Sequence, residues 1–203
     1  APGVKIVSLR VLNAKGEGDT AGVMAAIQYA IKLRKAGVNL RVINLSLGGG
    51  ESTDSFKEAL VDADKAGILV VAAAGNDTND NDTKPTYPAS YDVPNVISVA
   101  AIDSKGLLAG FSNYGARSVD VAAPGTFIFS TFPFGFYFFL DGTSMAAPHV
   151  SGVAALVYSR NPNLQPAQVV AILRNSVKRI SGLEGKMVSP GVVSALNALQ
   201  LAQ

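Results

Sequence analysis

Gly67-Ile68-Leu69-Val70-Val71-Ala72-Ala73-Ala74-Gly75-Asn76 is the stretch on which the fold turns. From Ile68 to Ala74 it is apolar without alternation, the pattern of a strand buried on both faces. Such a strand needs helices on both sides of its sheet, and the flanking sequence supplies them. Upstream, Thr53 to Ala66 reads as a helix ended by Gly67, and Arg41 to Leu47 as a Val/Ile/Leu-rich strand running into Gly48-Gly49-Gly50. Before these, Val23, Ala26, Ile27, Ala30, Ile31 and Ala36 recur at helical spacing, stopped by Gly37. Lys5 to Val11 reads as a further strand, followed by a turn region at Asn13, Gly16 and Gly18. Downstream, strands are expected at Val96 to Ile102 and Val119 to Ala123, and a hairpin from Phe127 to Leu140 around Pro133-Phe134-Gly135. Helices are expected at Thr143 to Arg160, Gln165 to Ser176 and Pro190 to Leu201, with Pro166 and Pro190 in first turns. Alternating strands and helices imply a parallel α/β sheet with right-handed crossovers and helices on both faces. No repeat or linker divides the chain, so residues 1–203 read as one domain. Its site is expected at the carboxyl ends of the strands, where Gly48–Gly50 and Gly75 fall.

Composition narrows the function classes. The chain has 203 residues, 48% of them hydrophobic and 16% charged, enough for a sizeable core and unlike a disordered chain. The net charge is +2 with scattered Lys and Arg, which argues against a nucleic-acid footprint. The absence of cysteine excludes disulfides, thiolate metal sites and cysteine nucleophiles. No apolar run approaches the ~18–20 residues that a transmembrane helix needs. Ala1 does not open a signal peptide, because no basic start and apolar stretch follow it.

The chemistry concentrates at Gly142-Thr143-Ser144-Met145-Ala146-Ala147-Pro148-His149-Val150. A nucleophilic serine needs an exposed hydroxyl and donors for a developing oxyanion. A preceding glycine clears the approach, and a helix starting there offers free N–H groups and a positive dipole end. A bare Gly-Thr-Ser could equally be an ordinary helix cap. The longer string GTSMAAPHVSGVAAL closely resembles the nucleophile motif of the subtilisin-like serine peptidases. That resemblance puts the catalytic serine on Ser144 and implies a three-layer α/β sandwich with a mostly parallel sheet. Val42 to Gly49 resembles the family strand that clamps peptide substrate, and Val70 to Asn76 the strand forming the opposite wall. The latter would make Asn76 the oxyanion-hole asparagine, where the residues alone would suggest a turn-forming Asn. Phe111-Ser112-Asn113-Tyr114-Gly115 and Val121-Ala122-Ala123-Pro124-Gly125 follow the family pattern too. The resemblance further implies export from the cell and a peptide or protein substrate.

A serine also needs a base and an acid to orient it. The sole histidine, His149, lies five residues after Ser144. On a helix their side chains diverge by about 140°, so they cannot share a face, and the resemblance makes this histidine structural. The family's His-Gly-Thr-His and Asp-Ser/Thr-Gly segments, which precede the strand matching Lys5 to Val11, do not occur here. Asp19 in Asp19-Thr20-Ala21-Gly22 reads instead as a helix cap. The expectation is a partial catalytic domain, nearly inert alone, whose Asp- and His-bearing N-terminal fragment is cleaved off or supplied by another chain. Three functions compete: part of a secreted endopeptidase, a pseudo-peptidase that clamps peptides at Ser46–Gly48, and a half-protease completed by a partner.

By resemblance, Ser46, Leu47, Gly48, Ala73, Ala74 and Gly75 line the primary specificity pocket, with Thr86 near its base. Small apolar walls suggest large apolar side chains, and no acid on them selects Lys or Arg. Seven of nine phenylalanines lie between Phe127 and Phe139. Phe132, Phe134, Phe136 and Phe138 are expected on one face of the hairpin. They are either buried against the core or the absent fragment, or exposed beside the leaving-group side of the cleft. The chemistry requires no cofactor. A structural calcium is compatible with Asp120 and carbonyls near Ala89 and Tyr91, which resemble a weak family cation site. Asp77, Asp80 and Asp82 read as a solvated loop without the glycine of an EF-hand.

Overall fold

The computed structural model describes residues 1–49 and 51–203, so Gly50 of the expected glycine run lies outside the described residues. Four helices and a strand pattern follow the reading closely. α1 (Thr20–Lys35), β1 (Val42–Leu45), α2 (Asp54–Lys65), β2 (Leu69–Ala73), β3 (Val96–Ile102) and β4 (Val121–Pro124) alternate along the chain. Then come β5 (Ile128–Phe132), β6 (Phe136–Leu140), α3 (Thr143–Arg160), α4 (Pro166–Asn175), β7 (Lys178–Arg179), β8 (Gly191–Val192) and α5 (Ala195–Leu201). β1 to β4 and β8 are parallel, in the order β1-β2-β3-β4-β8-β7, with only β7 antiparallel.

Unbroken hydrophobicity in β2 has the expected cause. Leu69, Val71 and Ala73 pack with Ala146, Ala147 and Val150 of α3, and with Leu173 of α4. Ile68, Val70 and Ala72 pack on the other side with Ile27 and Ile31 of α1 and Phe56 and Leu60 of α2. Successive side chains point to opposite faces, so both must be apolar when both are covered. The caps are also local. Asp19 accepts from the Gly22 amide (2.7 Å) at the start of α1, and Thr53 from the Phe56 amide (3.2 Å) at the start of α2. Asp19 is thus a cap, as read.

Three expectations fail. Lys5 to Val11 forms no strand: it is exposed, with only Leu9 and Val11 partly buried. Strand propensity needs a partner to express itself, and none of the described strands pairs with this segment. Pro190 does not open a helix. Gly191–Val192 joins the sheet beside β4 and β7, and α5 begins only after Ser194, whose hydroxyl caps the Asn197 amide (3.3 Å). The hairpin β5–β6 pairs Phe132 with Phe136 and Ser130 with Phe138, so Phe132, Phe136 and Phe138 share a face. Phe134 does not, because it sits in the 3₁₀ turn at φ +64°. The whole ribbon from Phe129 to Leu140 is exposed, not buried against the core.

Candidate active site

β1, β2 and α3 build the site. β1 and β2 end side by side at their carboxyl ends, and α3 begins across them, placing Ser144 one residue inside its N-terminus. The Ser144 hydroxyl donates to the Ser46 carbonyl (3.0 Å), while the Ser46 hydroxyl donates to the Ser144 carbonyl (2.7 Å). Asn44 supports Ser46 by donating from Nδ2 to its Oγ (2.8 Å), and accepts at Oδ1 from the Ser151 hydroxyl (2.9 Å). The nucleophile candidate is therefore tied to the edge strand by a chain of hydrogen bonds that returns to its own helix.

Asn76 follows Gly75 at the end of β2. Its Oδ1 accepts from the Thr143 amide and the Thr143 hydroxyl (both 2.9 Å), and the Thr143 oxygen accepts from the Gly75 amide (3.2 Å). With Oδ1 so anchored, the amide's Nδ2 is left as the outward donor, and it meets no acceptor among the described residues. The Ser144 N–H is likewise free, as expected one residue into a helix. Both donors flank one point beside Gly142: a Cβ there would stand 3.6 Å from the Ser144 nitrogen and 3.7 Å from Asn76 Nδ2. Two unpartnered donors converging beside a serine hydroxyl can receive a carbonyl oxygen that is gaining negative charge.

A cleft of about 210 Å³ opens beside these groups. Leu47, Gly48, Ala73, Gly75, Asn76, Thr86 and Ser144 line it, so the structure brings together most of the predicted set. Ala74 is fully buried behind the wall, and Ser46 is hydrogen-bonded to Ser144 and does not line the cleft. Asp77, which lies beyond the expected wall residues, also borders the cleft. A larger depression of about 450 Å³ along α2 is lined by Asp54, Lys57, Glu58, Asp62 and Lys65. It is a solvated charged face with no converging groups.

The walls rest on a buried amide network that the sequence reading did not single out. Asn113 donates from Nδ2 to the Ala74 carbonyl (3.1 Å) and Thr86 Oγ1 (3.2 Å), and its Oδ1 accepts from the Asp77 and Asn79 amides (2.8 and 3.0 Å). Asn81 adds a bond to the same Ala74 carbonyl (2.8 Å). Gly75 must be glycine here: its φ is +113°, and a Cβ would collide with Asn113 Nδ2. Thr143, Asn44 and Asn113 lie inside quoted motif strings, but only tertiary proximity reveals what they hold.

His149 is exposed, and its Nδ1 pairs with the Met145 carbonyl one turn back (2.9 Å). It does not reach Ser144, as the helical geometry requires. The Ser144 proton is directed at a carbonyl, which cannot take it as a base would.

Asp120 does not fit the expected cation site. Its buried carboxylate pairs with Arg174 of α4 and accepts from the Ser98 amide (2.6 Å). Burial pushes its carboxyl up, against the pull of Arg174 and the Ser98 amide. A guanidinium already occupies the place a cation would take. Among the described residues no three or more His, Cys, Asp or Glu side chains gather as metal ligands. The acidic loop is a built turn, not merely a solvated one. Asp82 accepts from the Ser118 hydroxyl (2.7 Å) and amide (2.9 Å) and from the Arg117 amide, and its side chain is only 12% exposed.

Known proteins of similar sequence and shape agree with this geometry. The family model described as "Subtilase family", peptidase S8, matches residues 1–193. Thermitase from Thermoactinomyces vulgaris is 42% identical over 98% of this chain and 67% of its own length. Subtilisin DY from Bacillus licheniformis is 42% identical over 83% of this chain and 59% of its own. Among solved structures, a protease from Pseudoalteromonas arctica superposes with TM-score 0.82 at 32% identity, covering 96% of this chain and 62% of that one. A cold-adapted subtilisin-like serine proteinase gives 0.81 at 34% identity, with 92% and 65% covered. The chain thus spans about three fifths to two thirds of these relatives.

Proposed function

Because the chain belongs to the subtilase family of serine peptidases, we propose that it is the nucleophile-bearing part of an exported serine endopeptidase whose base and orienting acid lie outside these 203 residues. The observation that carries this reading is the convergence of the Ser144 hydroxyl, its own N–H and Asn76 Nδ2 beside Gly142 at the mouth of the cleft. A pure peptide clamp needs none of the three.

In the proposed reaction, a base takes the Ser144 proton as Oγ attacks the substrate carbonyl carbon. The oxygen becomes an oxyanion held by the Ser144 N–H and Asn76. The base then protonates the leaving amine as the C–N bond breaks, leaving an acyl group on Oγ. Water, deprotonated by the same base, releases the acid and restores the serine. No cofactor enters. Substrate would lie along Leu47–Gly48 and Ala73–Gly75, with an apolar side chain in the cleft and Asp77 at its exposed rim.

Two features support an external base. Among the described residues β1 is hydrogen-bonded to β2 alone, so its outer edge can accept another strand. Pro148 and His149 leave the adjoining face of α3 exposed. Without the base, kcat in a subtilisin falls by about 10⁶, a measured value for the family.

The test compares this chain with the polypeptide that includes the base- and acid-bearing segment. The longer protein is expected to hydrolyse protein substrate and to react with a fluorophosphonate at Ser144, and Ser144→Ala to abolish both. Hydrolysis that survives Ser144→Ala would overturn the proposal. Peptide binding without hydrolysis in the longer protein would establish the clamp instead, and activity restored only by a separate polypeptide would establish a half-protease.

A further inference from the structure

Asn113 is fully buried at the centre of the network behind the cleft. Its bonds fall on both peptide groups of Asn76. Its main-chain N–H donates to the Gly75 carbonyl (2.9 Å), and its Oδ1 accepts from the Asp77 amide (2.8 Å). The Gly75 carbonyl belongs to the peptide before Asn76, the Asp77 amide to the peptide after it. These two rigid planes meet at the Asn76 Cα, so holding both fixes the φ and ψ of that residue. Oδ1 also accepts from the Asn79 amide (3.0 Å), two residues further on. The side chain has one orientation open to it. Oδ1 faces amides, which only donate, and Nδ2 faces the Ala74 carbonyl, which only accepts (3.1 Å).

The turn does not take this shape by local preference. Thr78 stands at φ +54°, a conformation that a β-branched residue rarely adopts. Its N–H and hydroxyl are tied to the Phe111 and Gly110 carbonyls (2.9 and 2.7 Å). Such backbone persists where its surroundings over-determine it, and here residues 110–114 do so, with Asn113 nearest to Asn76. Asn76 therefore has two supports. Thr143 orients its side-chain amide, and Asn113 places the Cα from which that amide projects. The cleft wall depends less on Asn113. Asn81 also donates to the Ala74 carbonyl (2.8 Å) and accepts from the Thr86 hydroxyl (3.2 Å), so the bonds of Asn113 Nδ2 to Ala74 and Thr86 are backed by a second residue.

We propose that Asn113 is a positioning residue for the oxyanion donor: it sets the main chain of Asn76 so that Nδ2 stands where the substrate oxygen gains charge. This rests on Ser144 and Asn76 acting as the peptidase groups proposed above.

Steady-state kinetics on a peptide amide test it in the longer protein that includes the base- and acid-bearing segment. Asn113→Ala is expected to lower kcat about 10- to 100-fold, with KM changed about twofold or less. Asn76→Ala removes the donor that Asn113 positions, so adding Asn113→Ala to it is expected to lower kcat further by about twofold at most. A residue with a merely structural role would cost the same factor in both backgrounds. Asn113→Ser, a smaller lesion, is expected to show the same dependence on Asn76, and it carries the comparison if the alanine variant does not fold. Equal losses in the two backgrounds, a loss carried by KM, or an unchanged kcat would overturn the positioning role while leaving the peptidase reading intact. A longer protein that does not hydrolyse the substrate, or that still does so after Ser144→Ala, would overturn that reading and this role with it.

Discussion

At the scale of single residues, the decisive contrast is between donors that are occupied and donors that are free. Asn76 Oδ1 is fixed by Thr143, so the orientation of Nδ2 is set by the fold itself. Preorganised donors of this kind stabilise charge without reorganising at the moment of reaction. In the complete protein, Asn76→Ala is expected to lower kcat about 10²–10³-fold with little change in KM, the range known for this donor in a subtilisin. Steady-state kinetics on a peptide amide measure it, and an equal loss in KM would point to substrate binding instead. Asp82 carries a second residue-scale effect. Desolvation raises its carboxyl, but the Ser118 hydroxyl, the Arg117 and Ser118 amides and the Arg117 charge outweigh it and hold it below the ordinary carboxylate range. A depressed carboxyl stabilises the fold above its unfolded pKa and loses that contribution as pH falls through the folded value. Asp82→Asn is therefore expected to cost about 1–2 kcal/mol at neutral pH and to flatten the acid limb of the stability curve below about pH 4. Urea unfolding across pH reads this, and parallel acid limbs in both proteins would refute it.

Elements explain why the residues meet. α3 crosses the carboxyl ends of the central strands, because Ala146, Ala147 and Val150 offer a small, flat face to Val71, Ala73 and Val99. That packing brings the helix N-terminus, with its free N–H groups and positive dipole end, to Asn76. α4 is tied to the sheet by Arg174, whose guanidinium neutralises the buried Asp120 beside β4. Arg174→Met leaves that carboxylate buried and unpaired, with an expected loss of about 3 kcal/mol in urea unfolding. Adding Asp120→Asn is expected to recover part of it, since no charge is then left without a partner. Strictly additive losses would show that the two groups do not interact.

Across the whole molecule, stability is unevenly spread. The sheet and its two helical layers share continuous cores, whereas residues 1–18 contribute only partly buried Leu9 and Val11. Local opening should therefore cost little in this segment. Trypsin is expected to cut first at Lys5, Arg10 or Lys15, leaving a resistant core that begins near α1. In the longer protein, a strand on the open edge of β1 should protect these sites. First cleavage within the core, read by mass spectrometry, would contradict the first expectation, and unchanged cutting at Lys5, Arg10 and Lys15 in the longer protein would contradict the second. No helix among the described residues is long and apolar enough to cross a membrane.

Local physics made much of this legible in the sequence. Ile68 to Ala74 fixed a doubly covered strand, since side chains alternate and neither face tolerates a polar group. Asp19 and Thr53 announced their helices through bonds that reach only three residues. Ser144 and Asn76 became site candidates only through the resemblance of contiguous strings to a family motif, since the residues alone would read as a helix cap and a turn-forming Asn. Helical periodicity by itself separates His149 from Ser144. Where partners are distant in sequence, only the tertiary structure decided. Lys5 to Val11 has the composition of a strand but no strand to pair with, and Gly191–Val192 became one because β4 and β7 flank it. Asp120 resembles a cation ligand until Arg174, 54 residues away, takes its Oδ1 and the Ser98 amide its Oδ2. The free donors beside Gly142 exist because Thr143 fixes Asn76 across 67 residues, a contact that burial and chain topology impose and no local pattern encodes.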